Sequence, residues 1–339
     1  MRFHFGIVNY NGGDHLHACV RSILAQRPDV RVSVFDNASS DDSAVRVESE
    51  FPRVTVIRSP ANLGYAGALN RLLERMPEEV VVLCNMDLEF DPGWTAAMEA
   101  ALWRHLDADG AASLVLEMTK PPVINSVGVR FFADLHAQNA GSGLPWSSKR
   151  AAQEAEQAFG AYGAVMCFRR PALEDIAFDD DYFLFFEETD FFLRFHLLGH
   201  RTVFVPDAVV RHQRSLSTRR FSTLKLYYGE RNRLTTVFKL LPVWYWPVAF
   251  AATLRRLHIV SRRAGAETGG APGTGAQVRL PARATIVATL LRAWRDAVLR
   301  LPSTWGKRRA FMRRSAGGAG AALRLVRRYS LPSSEVRLR

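Results

Sequence analysis

Short apolar runs alternate with amphipathic stretches along the first hundred residues. The runs 3–8, 30–35, 54–57 and 80–84 have the alternating or β-branched composition of strands. Helical spacing follows the first three runs, over about 14–24, 44–51 and 65–75, with Asp14 as the expected N-cap of the first helix. Strands that alternate with helices in this way form a mostly parallel sheet with helices on both faces. The pattern therefore predicts an α/β domain.

The pattern is less regular in the middle of the chain. Strands are predicted over 111–117, 202–205 and 208–210, and residues 159–168 predict a glycine-marked turn that leads into a strand. Residues 185–198 predict a helix with an acidic first turn, where the helix dipole favours negative charge. The stretch 119–158 carries few patterns, so we expect loops with short pieces of secondary structure there.

The segment 237–254 is apolar and aromatic, and arginines follow it at once. Eighteen residues is at the lower limit for a membrane span, and Pro242 and Pro247 interrupt the helical pattern. We therefore expect an amphipathic anchor that lies in a membrane interface, where tryptophan and tyrosine are enriched. A hydrophobic helix that packs on the first domain is the alternative.

The rest of the chain predicts a helical, arginine-rich extension. Residues 264–278 are rich in Gly, Ala, Thr and Pro, which predicts a flexible linker. Residues 282–301 and 305–328 are predicted to be helical. We accordingly expect a first domain over 1–235 and a membrane-associated extension over 236–339.

Composition sets limits on the class of protein. The 339 residues are 48% hydrophobic and 11% aromatic, which excludes wholesale disorder. The three cysteines, Cys19, Cys84 and Cys167, are far apart and form no CxxC motif, so neither a disulfide framework nor a cysteine zinc site is expected. We expect a reducing compartment, and the first residues lack the apolar run of a secretory signal.

Charge is distributed unevenly along the chain. Residues 1–200 hold 17 basic and 28 acidic side chains, a net charge of −11, whereas residues 201–339 hold 28 and 5, a net charge of +23. A basic second half indicates an anionic partner such as anionic lipid, nucleic acid or a phosphate-bearing substrate. A solvated arginine-rich surface is the alternative.

Every predicted strand of the first hundred residues ends in polar side chains. The clusters are Asn9 with Asn11, Asp36 with Asn37, Asn62, and Asn85 with Asp87. Asn and Asp serve as turn and cap residues in any protein, but four clusters at the same end of one sheet indicate more. Ligands bind at the carboxyl ends of the strands in such sheets, so we expect a binding site there.

These clusters suggest a nucleotide site that leads to a metal-bound diphosphate. Asp87 follows a buried strand, where Mg²⁺ or Mn²⁺ takes a carboxylate and completes its shell with water and phosphate oxygens. His212 could add a nitrogen ligand, although its spacing from Asp87 does not show that the two meet. Asp36 can accept hydrogen bonds from a base or ribose, and Gly64 lets the backbone approach a ligand closely.

The acidic run that follows Phe186 offers a general base. A carboxylate in partly apolar surroundings binds its proton more tightly and can serve that role, whereas a favourably charged helix N-terminus is the alternative reading. Neither GxxxxGK[ST] nor GxGxxG follows the first strand, which disfavours a P-loop and a dinucleotide-binding fold.

Taken in order, these motifs resemble those of the inverting family-two glycosyltransferases with a GT-A fold, especially the rhamnosyltransferase-like branch. The resemblance covers about residues 3–235. Its motifs are Val8–Asn11, Phe35–Asp41, Asn62–Gly67 with Asn70, Leu83–Asp87, Gly160–Ala164, Phe186–Asp190 with Arg194, His212, and Tyr228–Arg233. The family commonly has Pro where Met86 stands and Asp where Glu188 stands.

The resemblance implies roles for individual residues. The donor would be bound by Asn9, Asn11, Asp36, Asn37, Asn62, Gly64 and Asn85. Asp87 and His212 match the metal ligands, and Glu188 matches the catalytic base, with Asp190 as the alternative base. The candidates for the acceptor site are Glu187, Tyr162 and Gly163.

The implied reaction is a metal-assisted single displacement that inverts the anomeric carbon. The expected partners are a nucleotide-sugar donor such as a rhamnose donor, a polyprenyl-linked or cell-surface glycan acceptor, Mg²⁺ or Mn²⁺, and an anionic membrane surface. We expect the protein at the cytoplasmic face of the cell membrane and without nucleic acid. Two alternatives stay open, a non-enzymatic polyanion-binding protein and a nucleotidyltransferase.

Overall fold

The computed structural model describes residues 1–213, 222–267 and 282–336. Its first part alternates strands and helices as predicted. The elements are β1 (Phe3–Asn9), α1 (Gly13–Leu24), β2 (Arg31–Asp36), α2 (Ser43–Glu50), β3 (Thr55–Arg58), α3 (Gly64–Leu73) and β4 (Val80–Asn85). The predicted N-cap was wrong, because Gly12 occupies that position and Asp14 lies in the first turn of α1.

The middle of the chain completes the sheet. Its elements are β5 (Leu88–Phe90), α4 (Trp94–Arg104), β6 (Gly110–Glu117), β7 (Ile124–Ser126), β8 (Val129–Phe131), β9 (Ala137–Asn139), α5 (Lys149–Glu156), β10 (Val165–Arg169), α6 (Glu187–Leu197) and β11 (Thr202–His212). The two strands predicted over 202–205 and 208–210 are one strand with an irregularity between Val205 and Val209. The pattern did not predict β5 or α4.

The central sheet has nine strands in the order β3-β2-β1-β4-β10-β6-β11-β5, with β7 paired to β6. Six strands run in one direction, and β10, β5 and β7 run in the opposite one. Asn9 pairs with Asp36, and Asp36 pairs with Arg58. This register brings the polar clusters to one edge of the sheet.

Aromatic packing fixes the elements beneath that edge. The Phe5, Phe90 and Trp94 rings pack edge to face or tilted within 5.5 Å of one another, and the Trp94 indole donates to the Ser113 hydroxyl at 3.0 Å. On the other face, Phe191, Phe192 and Phe195 of α6 surround Phe168 of β10. Buried aromatic contacts of this kind hold α6 firmly, so the acidic first turn of α6 has a defined position.

A second compact unit comprises Arg130–Gln138 and Thr218–Arg339. Its helices are α7 (Thr223–Leu240), α8 (Trp246–Glu267), α9 (Arg283–Leu299), α10 (Leu301–Met312) and α11 (Gly318–Arg328). Helix α7 therefore crosses the expected boundary at residue 235 and lies wholly within this unit. Of the predicted linker 264–278, residues 264–267 end α8 and the remainder lies outside the described residues.

The segment 237–254 forms the end of α7, a turn at Pro242 and the start of α8. None of the helices in the described ranges combines the length and the apolar character that crossing a membrane requires.

Four buried charged residues lie at the centre of the second unit. Arg256 donates to Asp134 at 2.8 Å and to Glu230 at 2.6 Å, and Arg233 donates to Glu230 at 2.8 Å. Burial opposes ionisation, but the two guanidinium groups lower the pKa of both carboxyl groups. The network ties the segment 130–138 to α7 and α8.

We expect Arg256→Met to lower the free energy of unfolding by about 3–5 kcal/mol, because it leaves two buried carboxylates with one guanidinium between them. Arg255→Met is the matched control, since Arg255 is exposed on the same helix. Urea unfolding of both variants measures the difference. Equal midpoints would show that the network contributes nothing to stability.

Candidate functional site

The floor of the candidate site is built around Asn9, which is completely buried at the end of β1. Its amide nitrogen donates to Asp36 Oδ1 at 2.8 Å and to Ser43 Oγ at 3.0 Å. Asn9 therefore orients the Asp36 carboxylate, while its own Oδ1 is buried without a hydrogen-bond partner in the described residues. A Cβ atom on Gly12 would lie 2.4 Å from that oxygen, so position 12 requires glycine. Sequence reasoning did not single out Gly12.

The loop before α3 is held by side-chain amides. Asn37 donates to Asn62 Oδ1 at 3.0 Å and accepts from the Leu63 amide at 2.8 Å. Gly64 has a φ of +73°, and a Cβ atom there would lie 2.3 Å from the Phe183 carbonyl oxygen. The prediction that Gly64 lets the backbone approach a ligand stays a prediction, and in the structure this glycine lets two protein segments approach each other.

Two further candidates for donor binding, Asn11 and Asn85, make hydrogen bonds with other segments of the chain. Asn11 is exposed, has a φ of 53°, and accepts from the Ser40 amide at 2.7 Å. The backbone amide of Asn85 donates to the Ala164 carbonyl at 2.9 Å. This bond joins the end of β4 to the segment before β10. Both residues lie at the same sheet edge as Asn9 and Asp36.

Asp87 and His212 meet at the end of the β5–β11 pair. His212 is in register with Leu88, and Asp87 Oδ2 lies 3.4 Å from His212 Nε2. Both side chains are buried, and Asp87 Oδ1 has no hydrogen-bond partner among the described residues. His212 Nδ1 lies 3.2 Å from the side-chain oxygen of Asn125. If Nδ1 donates this bond, neutral His212 presents the lone pair of Nε2 towards Asp87.

This pair fits a divalent cation. Two ligand atoms on adjacent corners of an octahedral Mg²⁺ shell lie about 3 Å apart, which is close to the observed separation. The described parts of the chain contain no group of three or more His, Cys, Asp or Glu side chains that could hold a metal. An ion held by Asp87 and His212 would therefore take its remaining ligands from substrate and water.

Glu188 reaches the same region through the Gly160–Ala164 segment. A Cβ atom on Gly163 would lie 3.1 Å from Glu188 Cγ, so the glutamate packs directly on this glycine. The neighbouring Tyr162 ring packs edge to face on His212, with 5.8 Å between centroids. The Gly163 carbonyl accepts from the Tyr65 hydroxyl at 2.9 Å. A continuous chain of contacts therefore links the proposed base to the Asp87–His212 pair.

The other two acids of the run differ from Glu188. Asp190 is completely buried, and its two oxygens accept from the Tyr182 hydroxyl at 3.1 Å and from Arg194 Nε at 2.8 Å. Glu187 is also buried, and its Oε2 has no hydrogen-bond partner in the described residues. Only Glu188 among the three is half-buried, with access to solvent.

Loss of hydration dominates the electrostatics of this region. It raises the pKa of Glu188, and it raises the pKa of Glu187 well above the ordinary value with a further contribution from the Glu188 charge. The pKa of Tyr65 is also raised well above its ordinary value, first by loss of hydration and then by Glu187, Cys84, Glu188 and Asp87. Carboxylates from two distant parts of the chain thus act on one hydroxyl group, as expected of a shared site.

The segment before α6 is strained. Phe183, Phe185 and Phe186 have φ values of 60°, 64° and 77°, a region that residues other than glycine rarely adopt. Such conformations cost about 1–3 kcal/mol each and persist where surrounding contacts enforce them. The Phe183 carbonyl accepts from the Tyr65 amide at 2.5 Å, which is one such contact.

Two neighbours of the site have no role in the sequence-based prediction. Tyr65 lies inside a recognised motif, but no local signal links it to Gly163. Asn125 lies in the stretch expected to be loops, and only the pairing of β7 with β6 brings it beside His212.

Comparison with known proteins identifies the family of the chain. The model of the family described as "Glycosyl transferase family 2" matches residues 5–177. The "N-acetylglucosaminyl-diphospho-decaprenol L-rhamnosyltransferase" of Mycobacterium tuberculosis, in strains CDC 1551 and H37Rv, is 27% identical over an alignment of 239 residues. The alignment covers 63% of this chain and 76% of that protein.

Solved structures share the fold. S. aureus TarS 1–349 in complex with UDP-GlcNAc superposes with a TM-score of 0.56 at 16% identity, covering 96% of this chain and 90% of that one. GalNAc-T7 with UDP, GalNAc and Mn²⁺ gives 0.57 at 15% identity over 72% of this chain, which spans about half (49%) of that structure. The mannosyltransferase PcManGT from Pyrobaculum calidifontis, in complex with GDP-Man and Mn²⁺, gives 0.51 at 17% identity over 91% and 84%. The predicted GT-A fold is confirmed.

Proposed function

Because the chain belongs to glycosyl transferase family 2, we propose that it transfers a sugar from a nucleoside diphosphate to an acceptor hydroxyl with inversion of the anomeric carbon. That it is a glycosyltransferase follows from the family, so a purely non-enzymatic protein and a nucleotidyltransferase are set aside. The observation that carries the finer proposal is the contact chain from Glu188 through Gly163 and Tyr162 to His212 and Asp87.

The polar edge of the sheet binds the donor in this proposal. Asp36 accepts hydrogen bonds from the base or ribose, and Asn9 fixes the direction of its carboxylate. Asn37 and Asn62 keep the loop before α3 in the shape that receives the nucleotide. Asp87 and His212 would hold Mg²⁺ or Mn²⁺, which when bound supplies neutralisation of the leaving diphosphate. Mn²⁺ is present in two of the structures that share the fold.

Glu188 acts as the base. It accepts the proton of the acceptor hydroxyl while that oxygen forms its bond to the anomeric carbon and the bond from that carbon to the diphosphate oxygen breaks. Attack from the face opposite the leaving group inverts the configuration. Asp190 is less suited to this step, because Tyr182 and Arg194 occupy its oxygens.

We propose L-rhamnose as the transferred sugar and a polyprenyl-diphosphate-linked glycan as the acceptor. The support is the activity for which the Mycobacterium tuberculosis relative is named. We place the reaction at the cytoplasmic face of the membrane, which agrees with three buried, free cysteines.

Thermal stabilisation by nucleotide sugars tests the proposal directly. A ligand that binds only the native state raises the Tm, so the rhamnose donor with Mn²⁺ should raise it more than the UDP and GDP sugars do. Transfer to a lipid-linked N-acetylglucosamine acceptor, followed by determination of the anomeric configuration of the product, then tests the chemistry. Retention of configuration would contradict the single displacement.

The pH dependence of kcat reports on the base. Since Glu188 must be deprotonated and loss of hydration raises its pKa, activity should fall as the pH decreases through a value above the ordinary glutamate pKa of about 4.5. This decrease at low pH should be absent from the pH dependence of donor binding. A kcat that stays constant down to the ordinary value would contradict the assignment.

Gly163→Ala should displace the base without removing it. The added Cβ atom would approach Glu188 Cγ at 3.1 Å and Cδ at 3.2 Å, so the glutamate must shift. We expect kcat to fall about 10- to 100-fold with little change in donor KM, because small misplacements of a catalytic group reduce the rate strongly. Gly229→Ala is the control, since no atom lies within 4 Å of a Cβ atom there. Equal kcat values for the two variants would argue against contact between Glu188 and the reacting oxygen.

A further inference from the structure

The second compact unit carries an uncovered apolar surface. Helix α9 buries one side through Leu290, Ala293 and Ala297. A second apolar stripe follows the same helical spacing on its outer side and consists of Val287, Leu291, Trp294 and Val298. Leu291 is 57% exposed and Val287 is 53% exposed, so the residues that the structure describes cover only one of the two apolar sides.

Helices α8 and α10 extend this surface. The outer side of α8 carries Pro247, Phe250 and Leu254 at helical spacing. The Phe250 ring lies 5.3 Å from the Trp294 ring, which joins the two stripes. An apolar groove of about 460 Å³ continues the surface onto α10 and is lined by Val243, Trp246, Leu301, Pro302 and Trp305. We call the two stripes and the groove together the apolar face.

Positive charge borders the apolar face. Arg255 and Arg262 lie on the exposed side of α8. Arg295 is exposed on α9 and directly follows Trp294 of the apolar stripe. Residues 236–339 hold 20 basic and 3 acidic side chains, a net charge of +17. A second copy of this chain on the face would bring two strongly basic surfaces together. Nucleic acid would satisfy the arginines but leave the leucine, valine and tryptophan side chains without an apolar partner.

We propose that the apolar face docks on an anionic lipid bilayer. The apolar side chains enter the boundary between headgroups and acyl chains, and the bordering arginines contact lipid phosphates. Exposed Trp244 and half-buried Trp294 belong to the residue type that is enriched at this depth. The proposal extends the proposed function. It rests on that function only for the claim that the docked protein meets its lipid-linked acceptor in the same bilayer.

Co-sedimentation of the full chain with vesicles tests the surface without any sugar transfer. The protein should bind vesicles of phosphatidylcholine with phosphatidylglycerol, bind pure phosphatidylcholine weakly, and dissociate as salt is added. Leu291→Gln combined with Leu254→Gln should lower the partition coefficient at least about tenfold. Arg255→Gln with Arg262→Gln should lower the partition coefficient for anionic vesicles about fivefold per charge removed. The partition coefficient for pure phosphatidylcholine should not change.

The matched control lies in the other unit. Trp103 is 61% exposed and Leu106 is 71% exposed, so Trp103→Ala with Leu106→Gln removes comparable apolar surface outside the apolar face. This variant should partition like the wild type. Equal loss in the control and the leucine variant would overturn the proposal.

Other occupants give distinct results. A smaller particle for the leucine variant than for the wild type in vesicle-free sedimentation would identify the face as a contact between copies and overturn membrane docking. Salt-sensitive binding of RNA without vesicle binding would overturn it in favour of nucleic acid.

Transfer to a short-chain, water-soluble acceptor should be unchanged in the leucine variant. Vesicle binding by a wild type that transfers no sugar would contradict the proposed function alone.

Discussion

Glu188→Gln is expected to lower kcat for sugar transfer by about 10²- to 10⁴-fold, the usual contribution of a general base. Glutamine has nearly the same shape, so its contact with Gly163 is kept while the ability to accept the proton is lost. Because burial penalises the Glu188 charge, the neutral side chain should not destabilise the fold. Kinetics with saturating donor, together with Tm in the presence and absence of donor, separate loss of chemistry from loss of binding.

Variants at the neighbouring acids sharpen this experiment. Asp190→Asn weakens the buried pair with Arg194, so it should lower the Tm as well as the activity. Glu187→Gln keeps the fold and leaves Glu188 in place, so its kcat should be much closer to that of the wild type. Full activity of Glu188→Gln with a strong loss in Glu187→Gln would transfer the role of base to Glu187.

Asp87→Asn is expected to reduce transfer at least about 100-fold and to weaken the apparent affinity for Mn²⁺. The amide keeps the size of the carboxylate but removes the charge that a divalent cation requires. The donor-induced rise in Tm should lose its dependence on Mn²⁺, whereas Tm without ligand should change little. A metal titration of initial rates measures the affinity.

Glu89→Gln is the matched control, because Glu89 is an exposed acid two residues away on β5. It should leave both the metal dependence and kcat unchanged. His212→Gln should reproduce part of the Asp87→Asn effect, and the double variant should lose less than the product of the two single effects, since the residues share one ion. Strictly multiplicative losses would contradict a shared site.

Hydrophobic periodicity was sufficient to predict the parallel half of the sheet. Strands β1 to β4 are short runs of alternating or β-branched apolar residues that polar clusters follow, and each lies close to its predicted range. Periodicity failed for β5, which has only three residues, and for α4, whose alanines surround the helix and hide its buried side. It also gave no sign that the segment 130–138 joins the second unit, because buried partners of Asp134 lie about a hundred residues away.

The candidate site, too, could be predicted from the sequence only in part. Asn9 and Asp36 could be placed together from sequence, because parallel strand ends meet at one edge of a sheet. The sequence left open whether Glu188 or Asp190 is the base. The contacts of Asp190 with Tyr182 and Arg194 favour Glu188, and no local pattern encodes those contacts.

The sequence by itself determined the class of fold, the polar edge of the sheet and the acidic first turn of α6, because these depend on spacing within single elements. Only the tertiary structure decided that Asp87 meets His212, that Asn125 supports His212, and that Glu188 packs on Gly163. The physical reason is that these pairs arise from the pairing of β5 with β11, of β7 with β6, and from the packing of α6. Contacts between distant segments are set by the burial of the whole sheet, and no single segment carries that information.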